Sequence, residues 1–197
     1  MIWVSSDIHL NHQNILMFTD RHKHWSSIED MNHGIIENIN KCVDENDTIY
    51  FLGDVCMGLL EETLPLLDSI VCKDRRLILG NHDRPWPGNK NAFKWWDHYA
   101  QYFTWMGGRK LLNLNGEKVE FSHFPFSGDS HMEERFEKWR PEDNGQWLCH
   151  GHIHSRSISE VERCIHVGID ADWTEYDVPK YHPIPLTTIQ QYIKDHT

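Results

Sequence analysis

Apolar residues in this chain fall in short blocks, and five of those blocks stop abruptly at polar clusters. Residues 2–6 run into Asp7-Ile8-His9, and residues 48–52 run into Gly53-Asp54. Leu77–Leu79 is followed by Gly80-Asn81-His82-Asp83, and residues 119–122 by His123. Trp147–Cys149 leads into His150-Gly151-His152-Ile153-His154. Blocks of this length read as buried strands. A strand that delivers polar groups from its C-terminal end is how open α/β sheets build sites.

Between the blocks the period changes. From Ser26 or Ser27, either able to cap, Ile28, Met31, Ile35, Ile39 and Val43 recur on one helical face, with Glu29 and Asp30 suited to the first turn. A second helix is predicted over Glu61–Ile70, with Leu64, Leu67 and Ile70 facing the sheet and Pro65 in its first turn. The first eighty residues therefore read β–α–β–α–β, the signature of a mixed or parallel sheet covered by helices. Further on, alternating runs from Leu111 to Phe121 flank Asn115-Gly116, a type I′ hairpin signal. Residues 124–145 read as loop with one short helix, Arg163–Gly168 as a strand, and Thr187–Lys194 as a helix capped by Thr187 or Thr188. The aromatic-rich stretch 93–105 suits core or lid packing, with a stacking platform as the sharper alternative. With no repeat, linker or low-complexity block, residues 1–197 form one expected domain.

Composition narrows the function. Hydrophobic content of 39% and charged content of 25% are ordinary for a globular protein. A formal net charge of −11 argues against gripping extended nucleic acid through a basic surface, but not against a small phosphate ester held by cations. Five cysteines without a CxxC pair, and no leader pattern, fit reduced thiols and a cytoplasmic location. No apolar run approaches the roughly 20 residues a membrane helix needs. Fifteen histidines are many, and those after strands call for a chemical reading.

Seven carboxylate, imidazole and carboxamide ligands from these strand ends are more than one tetrahedral zinc uses, and suit two divalent ions if one carboxylate bridges. Imidazole, carboxylate and a carboxamide, without thiolate, favour Mn²⁺, with Fe, Zn²⁺, Ni²⁺ or Mg²⁺ as alternatives. Two such ions can hold a hydroxide between them and stabilise in-line displacement at phosphorus.

As an ordered set, Asp7-x-His9, Gly53-Asp54, Gly80-Asn81-His82-Asp83, His123 and Gly151-His152-x-His154 resemble the calcineurin-like metallophosphoesterase superfamily. Ser6–Ile15 and His166–Asp170 further resemble a compact bacterial and phage subgroup of predicted phosphoesterases. The resemblance implies an α/β fold, a four-layer α/β–β/α sandwich of two mixed sheets. It implies that Asp7, His9, Asp54 and His154 hold one metal and Asp54, Asn81, His123 and His152 the other, with Asp54 bridging. It makes His82 a general acid for the leaving oxygen, or a stabiliser of its charge, with Asp83 or a nearby carboxylate orienting its ring. The chain departs from many relatives after Gly53-Asp54, where Val55-Cys56-Met57 replace a charged residue; Cys56 is read as packing or an occasional site thiol. Asn11, His12 and Arg21 are candidates for meeting substrate oxygens, and His150, His166, Asp170 and Asp172 for fixing ligand imidazoles. The expected activity is hydrolysis of phosphate mono- or diesters, with small nucleotide-type substrates foremost. A nuclease or nucleic-acid end-processing enzyme is the alternative, and a non-catalytic binding module on the same fold the remaining one.

Overall fold

A computed structural model describes all of residues 1–197. Nine strands form two mixed sheets. The first has the order β4-β3-β2-β1-β9, built from β1 (Ile2–Ser5), β2 (Thr48–Phe51), β3 (Asp74–Ile78), β4 (Trp105–Gly107) and β9 (Ile184–Pro185). Its first four strands are parallel and β9 is antiparallel to β1. The second has the order β5-β6-β7-β8, from β5 (Arg109–Leu114), β6 (Glu117–Ser122), β7 (Trp147–His150) and β8 (Cys164–His166). β5 and β6 are the expected hairpin, with both Asn115 and Gly116 at positive φ. β6, β7 and β8 then run parallel.

Side-chain alternation along the first sheet divides the core in two. Trp3, Ile49, Phe51 and Leu77 face the long helix Ile28–Cys42, which buries Ile28, Met31, Ile35 and Ile39 against them. Val4, Tyr50, Leu52 and Ile78 face the other way and meet Val119, Phe121, Trp147, Cys149 and Ile165 of the second sheet. The C-terminal helix Leu186–Asp195 adds Leu186, Ile189, Tyr192 and Ile193 to this second core. The result is an α/β fold of two mixed sheets flanked by helices.

Ser27 caps the long helix, its Oγ accepting the Asp30 N–H at 3.1 Å. Two local expectations need correction. The predicted helix 61–70 is a single α-turn, Leu60–Thr63, that tightens into a 3₁₀ segment, Leu64–Ser69. Pro65 brings no N–H to an α ladder, so the tighter winding takes over. The last helix begins at Leu186, preceded by Pro185, so neither Thr187 nor Thr188 caps it. In the aromatic stretch, Tyr99 and Phe103 are core, while Phe93 and Trp96 stand exposed.

Candidate metal centre

The C-terminal ends of β1, β2 and β3 open beside those of β6 and β7, and the polar clusters that follow these strands meet there. Close approach is possible because of glycines at the exits. A Cβ at Gly80 would strike the Asp54 carboxylate, and one at Gly151 would strike Asp7 and Ser6. The turns are tight for another reason too. Asp7, His9, Asp54, His152 and His154 all hold left-handed backbone conformations, with φ between 51° and 73°.

Two groups of donor atoms converge: Asp7, His9 and His154, and Asp7, Asp54 and His123. His9 Nε2 lies 3.9 Å from Asp7 Oδ1 and 3.9 Å from Asp54 Oδ2. His154 Nε2 lies 4.0 Å from Asp7 Oδ1, and His123 Nε2 lies 3.4 Å from Asp54 Oδ2. Asp54 thus reaches a histidine in each group, while Asp7 belongs to both. Asp7 Oδ1 and both nitrogens of His9 are buried with no hydrogen-bond partner. Buried polar atoms left unpaired cost roughly 1–3 kcal/mol each, so a cation bound among donors gathered this way would relieve that cost. Divalent cations fit this buried oxygen and nitrogen donor set.

Electrostatics agree. Burial, then the neighbouring His154 and Arg21, hold the His9 pKa well below its ordinary value, which favours the form with a ring nitrogen able to offer a lone pair. Burial would also lower His123, but Asp54 and Asp7 outweigh it and the pKa is raised. His123 Nδ1 is 2.8 Å from the Leu52 carbonyl, which fixes the ring so that Nε2 faces Asn81 Oδ1 at 3.1 Å.

The outer two histidines are each backed by a carboxylate. His154 Nδ1 donates to Asp170 Oδ2 at 2.9 Å, as expected of Asp170. His152 Nε2 donates to Asp129 Oδ2 at 3.0 Å, leaving Nδ1 as its free nitrogen. Its backbone N–H donates to Asp7 Oδ2 at 3.0 Å. The His152 and His123 rings lie 5.2 Å apart, although His152 stands outside the two tight donor groups. His82 is at the mouth. Its N–H donates to Asp54 Oδ1 at 2.8 Å, and its ring, 46% exposed, has Nε2 3.9 Å from Asp54 Oδ2. His12 packs against His9 at 5.1 Å between ring centres, and burial first, then His82, lowers its pKa to about 4.

Several expected roles change. Asp83 does not orient His82; its carboxylate accepts the N–H groups of Gly80, Asp54 and Val55. Arg21 cannot meet substrate, because its side chain is fully buried. It forks onto Asp170 at 2.9 and 2.8 Å and donates to the Asp7 and Ile8 carbonyls. Asn11 is committed to the fold, its N–H donating to Asn32 Oδ1 and its Nδ2 to Thr63 Oγ1. Cys56 is a buried packing residue whose backbone bridges Leu10. Asp172 lies near the surface and is engaged by Arg156, Thr174 and Lys180. His150 and His166 stack on each other 5.5 Å apart, and burial, then His166, lowers the His150 pKa to about 3. Asp129, in a charged loop with no pattern around it, gave no signal in the sequence.

Two cavities adjoin the centre. One of about 430 Å³ lies beside His154, lined among others by Phe18, His24, Arg156, Lys180 and Tyr181. Another of about 210 Å³ lies against His82, Asn81, Arg84 and Asn89.

Comparison with known proteins gives the same grouping. The family model described as a calcineurin-like phosphoesterase superfamily domain matches residues 1–169. The Gene 66 protein of Mycobacterium phage D29 is 32% identical, covering 98% of this chain and 96% of its own length. The Gene 66 protein of Mycobacterium phage L5 is 34% identical, covering 86% of each. The crystal structure of a protein of unknown function from Aquifex aeolicus superposes with a TM-score of 0.69 over 98% of both chains, at 22% identity, and so shares the fold.

Proposed function

Because the chain belongs to the calcineurin-like phosphoesterase superfamily, and is a metal-dependent phosphoesterase at that level, we propose that it hydrolyses small nucleotide-type mono- or diesters at a two-cation centre. The observation that carries this reading is the set of buried, unpaired donor atoms of Asp7 and His9 meeting Asp54, His123 and His154. Asp7, His9, Asp54 and His154 would hold one ion, and Asp54, Asn81, His123 and His152 the other. Mn²⁺ is the ion we propose, and Fe, Zn²⁺, Ni²⁺ or Mg²⁺ also suit this nitrogen and oxygen set. When bound, such cations activate water at neutral pH and stabilise the charge that develops on phosphoryl oxygens.

The chain's own residues do the rest. His82 has no hydrogen-bond partner on its ring and stands half in solvent, so it is free to give a proton to the leaving oxygen and regain it from water. Its backbone bond to Asp54 Oδ1 ties the position of that acid to a metal-holding carboxylate. Asp170 and Asp129 keep the outer imidazoles in place. The small volumes of the adjoining cavities and the net charge of −11 support a compact ester over a polynucleotide.

The test is turnover by Mn²⁺-loaded protein of p-nitrophenyl phosphate, bis-p-nitrophenyl phosphate and single-stranded DNA. Hydrolysis of one or both small esters is expected. Strong DNA cleavage without small-ester turnover overturns the substrate reading, and no turnover of any ester supports a binding module instead.

A further inference from the structure

Beyond His123, which directly follows β6, the segment between β6 and β7 contributes no ligand in the proposed centre, yet it encloses His152. Phe124 and Phe136 flank that imidazole, with ring centres 5.0 and 5.6 Å away. Asp129 closes the remaining side through Nε2, and its side chain is completely buried. Burying a carboxylate is costly unless donors surround it, and here they do. Arg135 donates to Oδ1 from Nη2 at 2.7 Å and from Nε at 3.1 Å. The backbone N–H groups of His131 and Arg135 add two more bonds at 3.1 Å. Arg140, itself buried, pins the loop by donating to the carbonyls of Pro125, Gly128 and Arg135. Trp86, Phe124, Phe136 and Trp139 pack together and fasten the segment to the body.

We infer that Asp129 is the positioning residue for His152, and that the loop carrying it sets the affinity of the second cation site. An acceptor on Nε2 obliges that nitrogen to carry the proton, so Nδ1 is the nitrogen with a lone pair to offer. The two sites are then built differently. His154 is fixed by Asp170 and the fully buried Arg21, which also grips the backbone at Asp7 and Ile8. His152 is fixed from a loop with no regular structure beyond the 3₁₀ turn Glu137–Trp139. The second site can therefore be weakened without disturbing the first.

The inference rests on the two-cation reading, and the experiment separates the two. Mn²⁺ stoichiometry and affinity are measured by calorimetry and metal analysis, and ion–ion coupling by electron paramagnetic resonance. Wild-type protein should bind two ions and give a spin-coupled spectrum. Asp129→Ala should keep one ion, bind the other roughly 10- to 100-fold more weakly, and give an isolated-ion spectrum. Asp129→Asn, which still offers an oxygen to Nε2–H, should recover much of the loss. Two ions bound to Asp129→Ala with wild-type affinities and an intact coupled spectrum would overturn the inference. A wild-type protein that takes up one ion overturns the two-cation reading and the inference with it. Nitrogen-15 NMR of the Zn²⁺-loaded wild type needs no variant: an Nε2–H tautomer at His152 is expected, and an Nδ1–H tautomer contradicts the assignment.

Discussion

The Asp83 carboxylate turns away from its neighbour His82 and accepts the backbone N–H of Asp54 at 3.0 Å, binding two strand exits together. Gly80 and Val55 donate to the same carboxylate at 2.9 and 3.1 Å. In Asp83→Asn the new amide group faces donors with donors, so buried N–H groups lose their acceptor. Stability should fall by about 2–4 kcal/mol, read by chemical denaturation. If Asp83 instead served His82, the variant would keep its stability and slow only reactions with poor leaving groups.

Asp54 touches both donor groups, so Asp54→Ala should remove activity and reduce metal content together. Metal analysis alongside ester turnover checks this. Near wild-type turnover would contradict the role of Asp54 in joining the sites.

His82 sits outside the buried donor groups, so His82→Gln should leave metal content unchanged. Turnover should fall by roughly 10²- to 10⁴-fold for alkyl esters and by less for p-nitrophenyl esters, whose leaving group needs no proton. Loss of bound metal in this variant would make His82 a ligand and not an acid.

Arg21 and Asp170 form a buried ion pair beneath His154. Arg21→Met strands the carboxylate and should cost about 3–5 kcal/mol. Adding Asp170→Leu should restore much of that stability, since well-packed apolar pairs often replace buried ion pairs. The double variant should still bind metal weakly, because His154 has lost its partner. Thermal unfolding and metal titration on the same samples separate the two effects.

Asp74 gives a pH prediction remote from the site. Hydrogen bonds from Arg76 first, then Thr104 and Thr48, lower its pKa from the ordinary 3.8 to about 2 against the opposing effect of burial. A folded-state value below the unfolded one means the stabilisation is full above about pH 4 and is lost as pH falls through about 2. The side chain is 33% exposed, so solvent screening holds the effect to about 1 kcal/mol or less. The stability gap between wild type and Asp74→Asn should therefore be constant near neutrality and close between pH 4 and 2.

What could be read from the sequence is what local pattern encodes. Strand lengths, the Asn115-Gly116 hairpin, the buried face of the Ile28–Cys42 helix and the polar strand exits all depend on near neighbours. Partnerships across the fold do not. Arg21 finds Asp170 across 149 positions, and nothing near Arg21 distinguishes it from a solvated surface charge. The Asp83 carboxylate serves backbone donors and not the adjacent His82, because adjacency in sequence says little about where a turn side chain points. Asp129 acts through a loop whose path is set by Arg140 and a group of aromatic rings, and neither leaves a periodic trace.

The left-handed backbone at Asp7, His9, Asp54, His152 and His154 has a consequence for stability. Each such residue carries a conformational cost of order 1 kcal/mol that glycine would not. His9 has the least to set against it, since neither ring nitrogen bonds to anything in the protein. His9→Gly or His9→Asn should therefore relieve part of this cost, and chemical denaturation should show the variant at least as stable as the wild type in the absence of metal.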